Sequence, residues 1–323
     1  MTIGALIIGA VVATVVATRL DLPSAPPGIP VPGPLVDYGL PIARAATDLA
    51  SVAMFGFGLV PMLVPGHPRD RERVGLRWSM VANLLLAAGA LASLLFETAD
   101  LAPGRPVTIS AMLAYVGTEQ IGQALVATAG AGLLCLAANA SCLSKPDRFP
   151  AELRLVFAGV TLVPLPLTGH GEDSLYHGFI ILSREAHVLA AAAWTGGLFA
   201  LALLVFGRRG DLAVALPRFS RLATIGLCVV GCTGIIDALV ELAGTPGVGL
   251  TGLWRSPYGL IVLGKLGCLV ALVLLGGNIR FRLLPGVAAG RRVRLVGWVS
   301  LELAVMGLAY GLAAVLQQSP LVG

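Results

Sequence analysis

Residues 257–278 read PYGLIVLGKLGCLVALVLLGGN, twenty-two positions with a single charged side chain, Lys265. A run of this length, wound as an α-helix rising ~1.5 Å per residue, spans a hydrocarbon layer ~30 Å thick. Outward from it the same signature recurs, at roughly 2–19, 40–63, 78–96, 118–143, 153–168, 182–206, 222–243 and 295–317, separated by short polar connections. The whole chain agrees. Of its 323 residues 57% are hydrophobic and 12% are charged, against roughly 25% charged in an ordinary soluble domain. The expectation is an all-α, polytopic membrane helix bundle with about nine transmembrane helices, its partner the lipid bilayer. The first run has no basic residue ahead of it and only a poor small-residue cleavage site at Thr18-Arg19, so it reads as a retained helix rather than a signal peptide.

The basic residues set the expected orientation. Connections after the second, fourth, sixth and eighth runs hold Arg69, Arg71, Arg73 and Arg77; Lys145, Arg148 and Arg154; Arg208, Arg209, Arg218 and Arg221; and Arg280, Arg282, Arg291, Arg292 and Arg294. These are sixteen of the twenty-two Lys and Arg, whereas the opposite side has Arg19, Arg105, Arg184 and Arg255. The positive-inside rule then puts the N-terminus in the cytoplasm and the C-terminus outside. The net charge of +5 is topological and gives no reason to propose nucleic acid.

Residues 21–34, DLPSAPPGIPVPGP, carry six prolines in fourteen positions, the composition of an extended linker. The chain divides into 1–37, a first transmembrane helix with this outer linker; 38–168, a four-helix membrane half; 169–184, a histidine-containing periplasmic loop; and 185–323, a second four-helix unit. The linker is expected to separate the first helix from the bundle. Pro164 and Pro166 predict local unwinding at the end of the fifth run.

Three of the four histidines, His170, His177 and His187, lie between residues 168 and 197 at the outer face. Clustered neutral imidazoles bind copper, zinc or haem iron, and Glu172 and Asp173 beside them would attract a cation. Solvated loop residues and a hydrogen-bonded helix histidine are the plainer alternative. Ionisable residues within the runs, Arg44, Asp48, Asp237, Glu241, Lys265 and Glu302, are expensive in hydrocarbon and should face one another. By depth, Asp48, His187, Asp237 and Lys265 belong to the outer half and could line one cavity. Arg44 with Asp48, and Lys265 with Glu302, are the expected ion pairs. Met54, one and a half turns from Asp48, is a candidate thioether ligand or core filler. Cys228 and Cys232, four apart, are either packing residues or a soft-metal pair. No phosphate loop, nucleophile with adjacent base or paired catalytic carboxylates supports an enzyme.

The second half carries motifs that point to a known family: His187-x6-Trp194-x-Gly-Gly, Phe-Ser-Arg at 219–221, Tyr258-Gly-x5-Lys265, Asn-x-Arg at 278–280 and a last helix with Glu302. Over about 185–317 the sequence resembles the CopD family of bacterial copper-resistance membrane proteins. The resemblance implies copper handling at the cytoplasmic membrane, with His187, Trp194, Tyr258, Lys265 and Glu302 as the family-like positions. It also implies a periplasmic CopC-like copper carrier or cytochrome oxidase assembly machinery as partner, since this sequence contains no CopC-like β-domain and no Met-rich tail. The reading is copper transport or delivery through a periplasmic site of His170, His177 and His187. The alternatives are a membrane electron-transfer protein holding haem b through His187 and a loop histidine, and a respiratory-complex assembly or accessory subunit with no metal of its own.

Overall fold

A computed structural model describes residues 2–21, 31–66, 69–145, 148–168, 177–206, 208–244, 251–283 and 295–318. Helix starts follow local chemistry. Helix α2 (Pro34–Leu63) begins with Pro34 in the first turn, where a missing N–H is harmless. In α4 (Ile109–Thr118) the Thr108 hydroxyl accepts from Ala111 N at 3.2 Å. In α11 (Pro257–Asn278) Ser256 accepts from Gly259 N at 3.0 Å and Pro257 supplies the first turn. The remaining elements are α1 (Thr2–Asp21), α3 (Arg69–Leu101), α5 (Gln120–Ser144), α6 (Ala151–Leu162), α7 (His177–Ala191), α8 (Gly197–Leu204), α9 (Arg209–Gly244), the single turn α10 (Gly252–Arg255) and α12 (Leu295–Leu316). A π-turn, Ala192–Gly196, fuses α7 to α8, and a second, Ile279–Leu283, extends α11.

Eight helices among the described residues are long and apolar enough to cross a membrane, and the expected all-α polytopic fold is present. The ninth expected run, 153–168, is a broken element: twelve residues of α6, about 18 Å long, then a turn and a 3-10 helix, Leu165–Thr168. The break coincides with Pro164 and Pro166. Two boundaries differ from expectation because a basic stretch need not be a loop. Helix α3 begins at Arg69 and α9 at Arg209, so Arg71, Arg73, Arg218 and Arg221 sit on helical extensions. Ion pairs brace these extensions: Arg71 to Asp211, and Arg154 of α6 to Glu72 of α3. Helix α4 falls where only a connection was expected.

Helix α2 is the axis of the bundle. It packs against α3, α6, α8, α12, α1 and the π-turn. Val52, Met54, Phe57 and Val60 are buried in one core with Leu198, Leu201, Leu303 and Met306. At Gly56 the backbones meet so closely that an added Cβ would lie 2.1 Å from the Gly196 carbonyl oxygen. In the absence of a hydrophobic drive within lipid, such small-residue contacts are what hold helices together. Helices α9 and α11, by contrast, are the least buried spans and barely touch one another.

The proline-rich linker does not keep α1 apart from the bundle. Helix α1 lies along α12 in the most extensive helix pair of the fold. Leu6, Ala10, Ala13 and Ala17 are buried there. A Cβ at Gly307 would sit 2.1 Å from Leu6 O, and one at Gly311 2.2 Å from Ala10 O. The linker segment 22–30 is outside the described residues. Gly307→Leu should force the pair apart, an overpacking loss on the order of 1–3 kcal/mol, read as a lowered thermal midpoint in detergent. An unchanged midpoint would show that this contact is dispensable.

Candidate functional site

His187 sits on α7, its imidazole facing α9. Nδ1 lies 2.8 Å from Thr233 Oγ1, and the ring passes over Gly234, where an added Cβ would lie 3.4 Å from Cε1. The Thr233 hydroxyl donates to Val229 O at 2.6 Å, so its one hydrogen is already committed. It can only accept from the imidazole, which places the His187 proton on Nδ1 and leaves the Nε2 lone pair free. A ring oriented through one nitrogen with the other unprotonated is the form that binds a metal.

Lys265 is the charged neighbour of this ring, and further ionisable groups gather around Lys265. Lys265 of α11 interacts electrostatically with His187, with Asp237 of α9 and with Asp48 of α2. Ser183 and Arg184 of α7 stand near Asp237, whose buried Oδ1 makes no hydrogen bond. Tyr310 of α12 stands beside Asp48 and Thr195. Asp48, His187 and Asp237, which sequence depth put in the outer half with Lys265, thus each have Lys265 as a charged neighbour, across α2, α7, α9 and α11. Two cations, Lys265 and Arg184, set against two carboxylates, Asp48 and Asp237, keep the assembly near neutrality, which burial demands.

Both expected ion pairs are replaced. Arg44 is buried and pairs with Glu97 of α3, and its Nη1 donates to Gln317 Oε1 at 3.3 Å. Asp48, one turn along α2, feels Arg44 only at longer range. Glu97 escaped notice because α3 runs one turn beyond the expected boundary. Glu302 does not meet Lys265: a Cβ at Gly276 would lie 3.9 Å from Glu302 Oε1, and one at Gly264 lies 3.2 Å from Leu312. That antiparallel register sets Lys265 opposite residues near 312, ten positions or about 15 Å from Glu302.

The other expected site residues separate. Met54 is buried about 120° around α2 from Asp48 and faces α3 and α5 instead. Trp194 is buried in the π-turn with no partner for Nε1, and Tyr258 is buried in the first turn of α11. Cys228 and Cys232 are exposed along α9. His170 lies outside the described residues. His177 opens α7, but its side chain, like that of Glu241, also lies outside them. Among the described residues no three His, Cys, Asp or Glu side chains form a group that could hold a metal ion. Thr233, Ser183 and Tyr310 were missed by sequence reasoning, which followed charge; Thr233 could have been found by its place one turn before Asp237.

The chain is similar to known proteins. Residues 213–316 match the family model described as copper resistance protein D, and residues 35–177 match copper resistance protein D-like, N-terminal domain. Copper resistance protein D of Pseudomonas syringae pv. tomato is 28% identical over 178 residues, which cover 49% of this chain and 56% of that relative. The chain thus spans little more than half of that relative's length. No solved structure matches. The resemblance read from the second half is borne out over 213–316, and a second match covers 35–177 in the N-terminal half.

Glu97→Gln should strand the buried Arg44 guanidinium and lower stability by about 3–5 kcal/mol, and Arg44→Met in addition should recover part of the loss. Denaturation of the single and double variants in detergent measures both. Equal losses would argue against a coupled pair.

Proposed function

Given that the chain belongs to the copper resistance protein D family, we propose that it takes up or delivers copper at the bacterial cytoplasmic membrane, as a carrier rather than a catalyst. The free Nε2 of His187 carries the proposal. It is a fixed imidazole whose charged neighbour Lys265 is shared with two carboxylates, Asp48 and Asp237. The His187 end of α7 is where α2 begins and α9 ends, opposite the Arg-rich ends of α3, α6 and α9. By the positive-inside rule that end is periplasmic, with the N-terminus in the cytoplasm and the C-terminus outside. His170 and His177 precede His187 directly in sequence, and the proposal makes them the outer ligands that pass the ion inward. A CopC-like carrier, or cytochrome oxidase assembly machinery, is the proposed source or recipient.

In this scheme Lys265 balances Asp48 and Asp237 while the site is empty, and an arriving cation shares that charge. Thr233 is a positioning residue that holds the ring in its ligating tautomer. The haem reading needs a second axial side chain, and His187 is the one histidine ring among the described residues, so no observation favours it.

His187→Ala should remove one equivalent of bound copper, measured by elemental analysis of the purified protein, together with any copper-dependent growth phenotype that rests on it. Thr233→Val keeps the volume but releases the ring, and should weaken binding by about 10–100-fold, the usual size of an outer-shell effect. Binding should also fall as pH is lowered, because protonation of the imidazole competes with the ion. Full copper affinity in the His187→Ala protein would place the site elsewhere.

A further inference from the structure

Away from the histidine cluster, a cavity opens between α2, α3, α5, α6 and α8 at the end of the bundle rich in arginine. Its mouth is charged, lined by Arg71 and the Glu72–Arg154 ion pair. Its interior holds two sulfur atoms. Met54 of α2 and Cys135 of α5 both line it, and both lie about nine residues, roughly 14 Å, inside the ends of their helices. Ser79 of α3 reaches the same wall from a matching depth.

The surroundings of the Cys135 thiol are polar in a bundle where polarity is expensive. Asn139 Nδ2 donates to Ser79 Oγ at 3.0 Å and lies 3.9 Å from Cys135 Sγ. Asn83, fully buried, stands beside Cys135 and donates to Ser79 O at 2.8 Å, while its Oδ1 has no partner. Two buried amides and a hydroxyl gathered around one thiol exceed what packing alone requires. An ordinary core cysteine would sit among Leu and Val side chains.

We propose that Met54 and Cys135 form a second metal site, specific for a soft monovalent cation of the cuprous class, at the end of the bundle opposite His187. A thioether with a thiolate is a donor set that selects Cu(I) over harder ions. On binding, the Cys135 S–H bond breaks, the Cu–S bond forms, and the proton leaves through the charged mouth to water; copper stays cuprous and nothing is oxidised. Amide N–H groups from Asn139 then face the thiolate, the outer-shell support that sulfur ligands need. The inference takes the identity of the ion from the copper reading above, and supplies that reading with a position on the far side of the membrane.

The test is anaerobic titration of the full-length purified protein with Cu(I) against bicinchoninate. The His187→Ala protein should retain one tightly held equivalent. Cys135→Ser in that background should lose it, Met54→Leu should weaken it, and the Cys228→Ser/Cys232→Ser protein should keep it. X-ray absorption at the copper edge should show sulfur ligation that disappears with Cys135→Ser. Met54→Leu nearly conserves volume, so it answers the question even where Cys135→Ser folds poorly. Retention of the equivalent in both Cys135→Ser and Met54→Leu overturns the proposal. Loss of all copper in His187→Ala alone also overturns it, and leaves the histidine reading standing. Loss confined to the sulfur variants, with His187→Ala unchanged, upholds the sulfur site and defeats the histidine reading.

Discussion

Within a bilayer no water is available to satisfy an ionisable side chain, so each must find its partner on another helix. That constraint organises this bundle. Arg44 ties α2 to α3 and α12, Lys265 ties α11 toward α2 and α9, and the pairs Arg71–Asp211 and Glu72–Arg154 tie the basic end of α3 to α9 and α6. Between these tethers the contacts are made by small residues and apolar side chains, which fit closely but carry little directional information. The charges thus fix several of the helix neighbours, and glycines such as Gly56, Gly307 and Gly311 set how near the helices come.

The candidate site follows from the same constraint. Helices α9 and α11 are held to the bundle along one edge each and hardly touch one another. The side chains they turn inward thus meet the bundle singly: Thr233 meets His187, and Lys265 has His187 and Asp48 as neighbours. A polar group can be kept there without the dense packing that surrounds Met306 and Leu303.

Most of the fold was legible in the sequence because crossing a membrane demands a long apolar helix, a signal that survives without any knowledge of contacts. Counting from the run ends put Asp48, His187, Asp237 and Lys265 in the outer half, and Lys265 is the charged neighbour of the other three. Azimuth and register were not legible. Lys265 and Glu302 looked like partners because opposite charges on consecutive helices attract, but the register of α11 against α12 depends on how Gly264 and Gly276 seat against Leu312 and Glu302. Met54 seemed close to Asp48 along the chain and proved to point elsewhere around the same helix. Extensions such as 69–77 and 209–221 were read as loops since their charge masks helical continuity, and a proline-rich linker says nothing of where the helix before it docks.

The π-turn at Ala192–Gly196 explains how one helix serves two partners. A regular α-helix advances about 100° per residue, and a π-turn inserts one residue without adding a turn. The stretch before the insertion is therefore out of phase with the stretch after it by roughly that angle. Before it, His187 addresses Thr233 and Gly234 on α9; after it, Gly196 seats against Gly56 on α2. The insertion thus acts as a gear between the chemistry of one wall and the packing of another. A lineage that lost a single residue here would keep its hydropathy, its length for crossing the bilayer and every side chain of the cluster, yet would turn the imidazole away from its threonine.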